Sequence, residues 1–138
     1  MLQPAMVKDI LEEIGQGEYV GTPLRELYTR FVGEDVQAAE ENDYFKFVYH
    51  MDELYNAGLF KTRNLNPRHR WGQSEALGGV RSYSNVPLLL TPLGSEVLKE
   101  LNKPKGLDRL IQGIRSAGSV AGQEALRHGL SELFKGVS

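Results

Sequence analysis

Between residues 61 and 83 the chain sets five basic side chains, Lys61, Arg63, Arg68, Arg70 and Arg81, against one acid, Glu75, together with His69, Trp71 and Tyr83. Guanidinium and ammonium groups neutralise phosphates, and flat aromatic rings stack on bases or wedge against sugars. This mixture therefore suits a polyanion, above all nucleic acid. The competing reading is structural: Trp71 packs on Leu65 and Leu77 to tether the segment, and the arginines pair with acids elsewhere. Net charge conceals the patch. Residues 1–60 carry four basic side chains against twelve acidic ones, a balance of −8, while residues 61–138 carry twelve against six, a balance of +6; the whole chain is left at −2.

No pattern of comparable strength points to catalysis. The chain has no cysteine, which removes disulfides, thiolate zinc sites and thiol nucleophiles together and fits a reducing, cytoplasmic setting. His50, His69 and His128 are scattered, with no pair four residues apart, so no metal is expected. Gly15-Gln16-Gly17 follows a helical pattern and lacks a third glycine at the dinucleotide-binding offset, so it reads as a helix stop. Glu34, Asp35, Glu40, Glu41 and Asp43 lack the alternation of a calcium loop and read as a solvated face. No enzyme activity and no cofactor are expected. The longest apolar run, residues 86–90, is interrupted by Pro87 and is far short of the roughly 20 residues that span a bilayer, and residues 8–18 are too charged for a signal peptide.

The elements that must position these residues follow from spacing. At 138 residues the chain suits one compact domain with an appendage. Pro4 opens a helix over residues 4–14 whose Val7, Ile10, Leu11 and Ile14 recur on one face. Residues 18–20 are a candidate strand. Thr22 as a cap and Pro23 in the first turn then open a second helix bearing Leu24, Leu27, Tyr28 and Phe31. Residues 33–42 read as a loop. A third helix starts at Asp43, buries Phe47, Met51 and Leu54, and stops at Gly58. Residues 59–63 and 86–91 read as antiparallel strands around a long loop, with Gly78 and Gly79 giving bend at its tip. Thr91-Pro92 repeats the cap-then-proline signal and opens a fourth helix with Leu93, Val97, Leu98 and Leu101 inside. Past a polar joint at residues 102–106, a fifth helix carries Leu107, Leu110, Ile111 and Ile114 and ends at Gly118. A sixth, from Ser119, carries Leu126, Leu130, Leu133, Phe134 and Val137.

Two stretches carry a family resemblance. Tyr49-His50-Met51-Asp52-Glu53-Leu54-Tyr55-Asn56-Ala57-Gly58-Leu59 resembles the end of a recognition helix running into a wing, where an HL..L...GL pattern is common. Leu90-Thr91-Pro92-Leu93-Gly94-Ser95-Glu96 resembles the LT..G.E segment that leaves the wing. Over residues 4–102 the chain thus resembles a winged helix-turn-helix domain. It is also similar to a bacterial and phage family of unknown function with this pattern and a carboxy-terminal helical tail. The resemblance implies a mainly α fold with a small β-hairpin wing, a domain over residues 1–102 and a helical hairpin over 103–138.

It also implies double-stranded DNA as partner, a role in transcription regulation, a third helix facing the major groove and a wing along the backbone. Carried onto this chain, the contact residues are Lys46, Tyr49 and His50 on the helix and Lys61, Arg63, Arg68, His69, Arg70, Trp71 and Arg81 on the wing. The acids around the helix, Glu40, Glu41, Asp43, Asp52 and Glu53, oppose phosphate and shift binding toward the wing. They also keep open a second reading, a protein-interaction module using that acidic face. For His50 the alternative to a base contact is a helix residue satisfying a backbone carbonyl. The tail cannot bury both of its stripes alone, so Leu107, Leu110, Ile111, Ile114, Leu126, Leu130, Leu133 and Phe134 are expected to pack on the domain or on a second copy, with a homodimer favoured. The mixed charges of the sixth helix do not suit a membrane surface.

Overall fold

The computed structural model describes residues 1–63, 70–75 and 80–135. The chain is mainly helical, with a small antiparallel sheet: α1 (Pro4–Gly15), β1 (Thr22–Pro23), α2 (Leu24–Phe31), α3 (Glu41–Asn56), β2 (Phe60–Thr62), β3 (Gln73–Glu75), β4 (Arg81–Tyr83), β5 (Pro87–Leu90), α4 (Pro92–Leu101), α5 (Gly106–Ser116) and α6 (Gly122–Phe134). The apolar spacing that predicts α1 and α3 is the spacing that is buried: Val7, Ile10, Leu11 and Ile14 meet Phe47, Met51 and Leu54 in one core with Leu24, Leu27 and Leu88.

Three local expectations need correction. Residues 18–20 form a turn in which Tyr19 and Val20 are exposed, and the first strand is Thr22–Pro23. Thr22 does not cap α2. Its hydroxyl turns back to the carbonyls of Glu13 and Ile14 at 3.0 Å each and closes the end of α1, leaving Pro23 as the residue before α2. The region read as one long loop contains a second antiparallel pair, β3 with β4, in the register Gln73↔Tyr83, Ser74↔Ser82 and Glu75↔Arg81. Strands of three residues are too short for the alternation of side chains to announce them. Gly78 and Gly79 lie outside the described residues.

The main sheet has the order β1-β5-β2, with Thr22↔Leu88 on one side of β5 and Phe60↔Leu90, Lys61↔Leu89 and Thr62↔Leu88 on the other. The strand that follows α3 therefore pairs with the strand that returns some 25 residues later, and the returning strand occupies the centre. The two sequence stretches singled out above meet here. Thr91 donates its backbone N–H to the Leu59 carbonyl at 3.1 Å and its hydroxyl to the Gly58 carbonyl, and accepts the Gly94 N–H at 3.0 Å as the cap of α4. Gly58, at φ +75, ends α3 in the left-handed region that favours glycine.

The tail folds against its own chain. Helices α5 and α6 cross so closely that a β-carbon on Gly113 would lie 2.7 Å from the Gly129 Cα and 2.7 Å from the His128 carbonyl oxygen, and the pair rests on α1, α3 and α4. Leu110, Leu126 and Leu133 are buried in the common core, and Leu107, Ile114, Leu130 and Phe134 pack against it. Of the two covers expected for these stripes, the domain or a second copy, the domain supplies it for Leu110, Leu126 and Leu133, which are buried within the chain and have no surface left for a homodimer contact. The stripe is satisfied within the chain because the domain presents its own apolar surface to it. No helix among the described residues is long and apolar enough to cross a membrane.

Candidate nucleic-acid interface

The segment between β2 and β5 is anchored by its aromatic residue. Trp71 is 1% exposed, its ring centroid 6.3 Å from that of Tyr28 and 6.1 Å from that of Phe47, while Tyr83 stacks on Tyr28 at 4.2 Å. The indole N–H donates to the Asp52 carboxylate at 2.8 Å. A base-stacking or wedging role for Trp71 is therefore corrected: both faces of its ring are spent inside the protein. The tether reading holds in kind, since the ring packs on Tyr28 and Phe47; the partners expected for it, Leu65 and Leu77, lie outside the described residues.

The arginines divide into two groups. Arg81 is structural, donating to the carbonyls of Val36 at 2.8 Å and Ala39 at 2.7 Å while its guanidinium lies over the Tyr44 ring. It thereby fastens the loop before α3, and a phosphate contact by Arg81 would have to break that attachment. Arg70, at φ +41, reaches α3: it donates to the Asn56 side chain at 2.6 Å, stands 3.4 Å from the Asp52 carboxylate and covers Tyr55, yet its side chain remains 46% exposed. Arg63 is exposed, with Nε donating to the Val20 carbonyl at 3.3 Å, which leaves its terminal nitrogens in solvent. Lys61 is exposed on β2. Lys61, Arg63 and Arg70 thus remain exposed on β2 and in the residues that follow it, on the β2 side of the segment, whereas Arg68 and His69 lie outside the described residues.

On α3 the expected contacts fare differently. Lys46 is half-buried and lines a hollow with Asp9, Arg30 and Asp43. Tyr49 is half-buried beneath the start of α6, where a β-carbon on Gly122 would be built into its hydroxyl; the side chain of Glu53 accepts from Gln123 Nε2 at 2.7 Å. The tail thus covers the middle of this face. His50 is fully buried, so its expected base contact is corrected: Nδ1 lies 2.8 Å from the Lys46 carbonyl, and Nε2 accepts the Gln3 N–H at 2.8 Å. These partners fix the neutral tautomer with the proton on Nδ1. The part of α3 that stays open presents Glu41, Asp43 and Phe45, the last 55% exposed. Two residues that spacing alone does not single out, Asp52 and Asn56, hold the foot of the segment to α3; their partners lie 14 to 19 positions away across a loop, so no local pattern marks them.

Burial lowers the His50 pKa below its ordinary value of 6.5, with the Lys46 carbonyl only partly opposing this. The unfolded imidazole therefore takes up a proton that the folded one refuses. His50 supports the fold fully above about pH 6.5, and that support is lost as pH falls through the lower folded value. Thermal melts from about pH 7.5 to about pH 5 are expected to show a falling midpoint, and His50→Gln is expected to flatten that slope. An unchanged slope in the variant would assign the dependence to other groups.

Chemically, the arrangement offers cations rather than nucleophiles. Among the described residues no group of three or more histidine, aspartate or glutamate side chains is placed to hold a metal ion. No protein-family model matches the chain, and no curated protein or solved structure matches it either.

Proposed function

We propose that this chain is a winged-helix protein that holds duplex DNA by the cations at the base of its wing, in a regulatory rather than an enzymatic role, and that α3 does not enter the major groove as a reading head. The observation that supports this reading is the sheet order β1-β5-β2, with β2 following α3 and with Lys61, Arg63 and Arg70 exposed on β2 and at the start of the excursion between β2 and β5. That order is the one a winged helix requires: the first short strand lies beside the strand that returns from the wing. The acids Glu41 and Asp43, and the covering of Tyr49 and Glu53 by α6, weigh against insertion of the helix.

Backbone contact of this kind is sequence-tolerant and salt-sensitive. Two to three neutralised phosphates give a slope of log affinity against log salt of roughly −2 to −3. Fluorescence anisotropy of a labelled mixed-sequence duplex across a salt series reads this directly. A second reading, a protein-interaction module, is favoured by one observation: the exposed Phe45 flanked by Glu41 and Asp43 is an apolar and acidic patch that fits a basic, apolar partner better than DNA. Absence of duplex binding at low salt would put that reading ahead.

A further inference from the structure

A cavity of about 750 Å³ opens between the residues leading into α1, the side of α3 and the turn that joins α5 to α6. Its walls are mostly apolar, with Leu2, Ile111, Ile114 and Ala125 among them, and its polar lining residues are Gln3, Tyr49, Arg115 and Ser119. That size and that ratio of apolar wall to polar groups are those of small-molecule sites. The helices form the cavity because α5 and α6 are pinned together at the Gly113–Gly129 crossing and α6 begins against Tyr49 and Glu53, which leaves the α5–α6 turn standing off the body.

The charges at the cavity select the ligand. Arg115, in the last turn of α5, takes part in no ion pair among the described residues, unlike Arg30, Arg70 and Arg127. Glu53 on α3, whose carboxylate accepts from Gln123 Nε2, forms no ion pair with Arg115. Burial and the Glu53 carboxylate both raise the Tyr49 pKa, so its hydroxyl, at the start of α6 beside Gly122, stays a neutral donor. An apolar space with an unpaired guanidinium and a neutral donor complements a molecule that is apolar over most of its surface and carries one anionic group.

We propose that this cavity binds a small amphipathic carboxylate, with its hydrocarbon body against Leu2, Ile111, Ile114 and Ala125 and its carboxylate on Arg115. The site is separate from the wing and stands whether or not the chain binds DNA. The probes are octanoate and octanol, equal in chain length and differing in charge, titrated calorimetrically into the full chain. Octanoate is expected to give saturable binding at least about tenfold tighter than octanol, the contribution of one charge-assisted contact. Arg115→Gln, an exposed change that leaves the core untouched, is expected to bring octanoate down to the level of octanol. Nuclear Overhauser contacts from the octanoate chain to the Ile111 and Ile114 methyl groups localise the ligand without a variant. Equal affinity for the two probes, a preference that survives Arg115→Gln, contacts elsewhere, or no binding would each overturn the proposal.

Discussion

Gly94→Ala is expected to destabilise the fold by about 3 kcal/mol or more and to lower the unfolding temperature by roughly 10 °C, although the same change inside an open helix stabilises by about 1 kcal/mol. The reversal comes from the Leu59 backbone. A β-carbon on Gly94 would be built into the Leu59 carbonyl oxygen, with the carbonyl carbon at 2.9 Å and the Cα at 3.3 Å. A flexible side chain could turn aside, as in the overpacked cores that cost about 1–3 kcal/mol, but a peptide carbonyl held in place cannot. The Leu59 oxygen is held: it accepts from Thr91 N–H, and the neighbouring Gly58 carbonyl accepts the Thr91 hydroxyl. Relief requires the first turn of α4 to withdraw, breaking both bonds and disturbing the adjacent Phe60↔Leu90 pair. Urea and thermal unfolding measure the effect, and Ser95→Ala, an exposed neighbour, should stay within about 0.5 kcal/mol. A neutral or stabilised Gly94→Ala protein would mean that the close approach of α4 to the end of α3 does not exist.

Trp71→Ala is expected to cost about 3–5 kcal/mol, the range for deleting a large aromatic side chain from a packed interior. Truncation empties the space beside Tyr28 and Phe47 and removes the indole donor on Asp52, leaving Arg70 to hold the segment between β2 and β5 to α3 through Asn56 and Asp52. Trp71→Phe keeps most of the volume and loses the indole N–H, so about 1 kcal/mol is expected from it. Trp71 is the chain's single tryptophan, which makes intrinsic fluorescence a specific reporter. Its emission should shift to the red on urea unfolding and stay unchanged when duplex DNA is added. Quenching by DNA in proportion to binding would return Trp71 to the role of a stacking platform.

What the sequence discloses and what it withholds separate along physical lines. Helices were legible because burial of one face repeats every 3.6 residues, and α1, α3, α4 and α5 lie where Ile10, Phe47, Val97 and Leu110 call for them. Thr-Pro is less reliable. At Thr91 the hydroxyl caps α4, whereas at Thr22 the same hydroxyl finds the carbonyls ending α1, a choice set by contacts eight and nine residues back. The basic character of residues 61–81 was equally plain, yet which cations are already committed was not. Arg81 is taken by carbonyls 42 and 45 positions away, and Arg70 is only partly engaged, by Asn56 and Asp52; outside that stretch, the neutral His50 is taken by the backbone of Gln3, 47 positions distant. The stripes of α5 and α6 announce surfaces that need cover; that the cover lies within the same chain depends on the close crossing at Gly113 and Gly129, which spacing along either helix does not reveal.

The central claim, DNA held by cations at the base of the wing, is tested most directly by the salt dependence of duplex binding in two variants. Lys61→Ala/Arg63→Ala removes both exposed cations next to β2, and its log-log slope is expected to be about two units shallower than that of the parent. Arg127→Ala removes a cation from α6, which packs on α3, α4 and α5, and its slope is expected to equal the parent's. Equal slopes for the parent and Lys61→Ala/Arg63→Ala, or no salt-sensitive binding in the parent, would contradict the account.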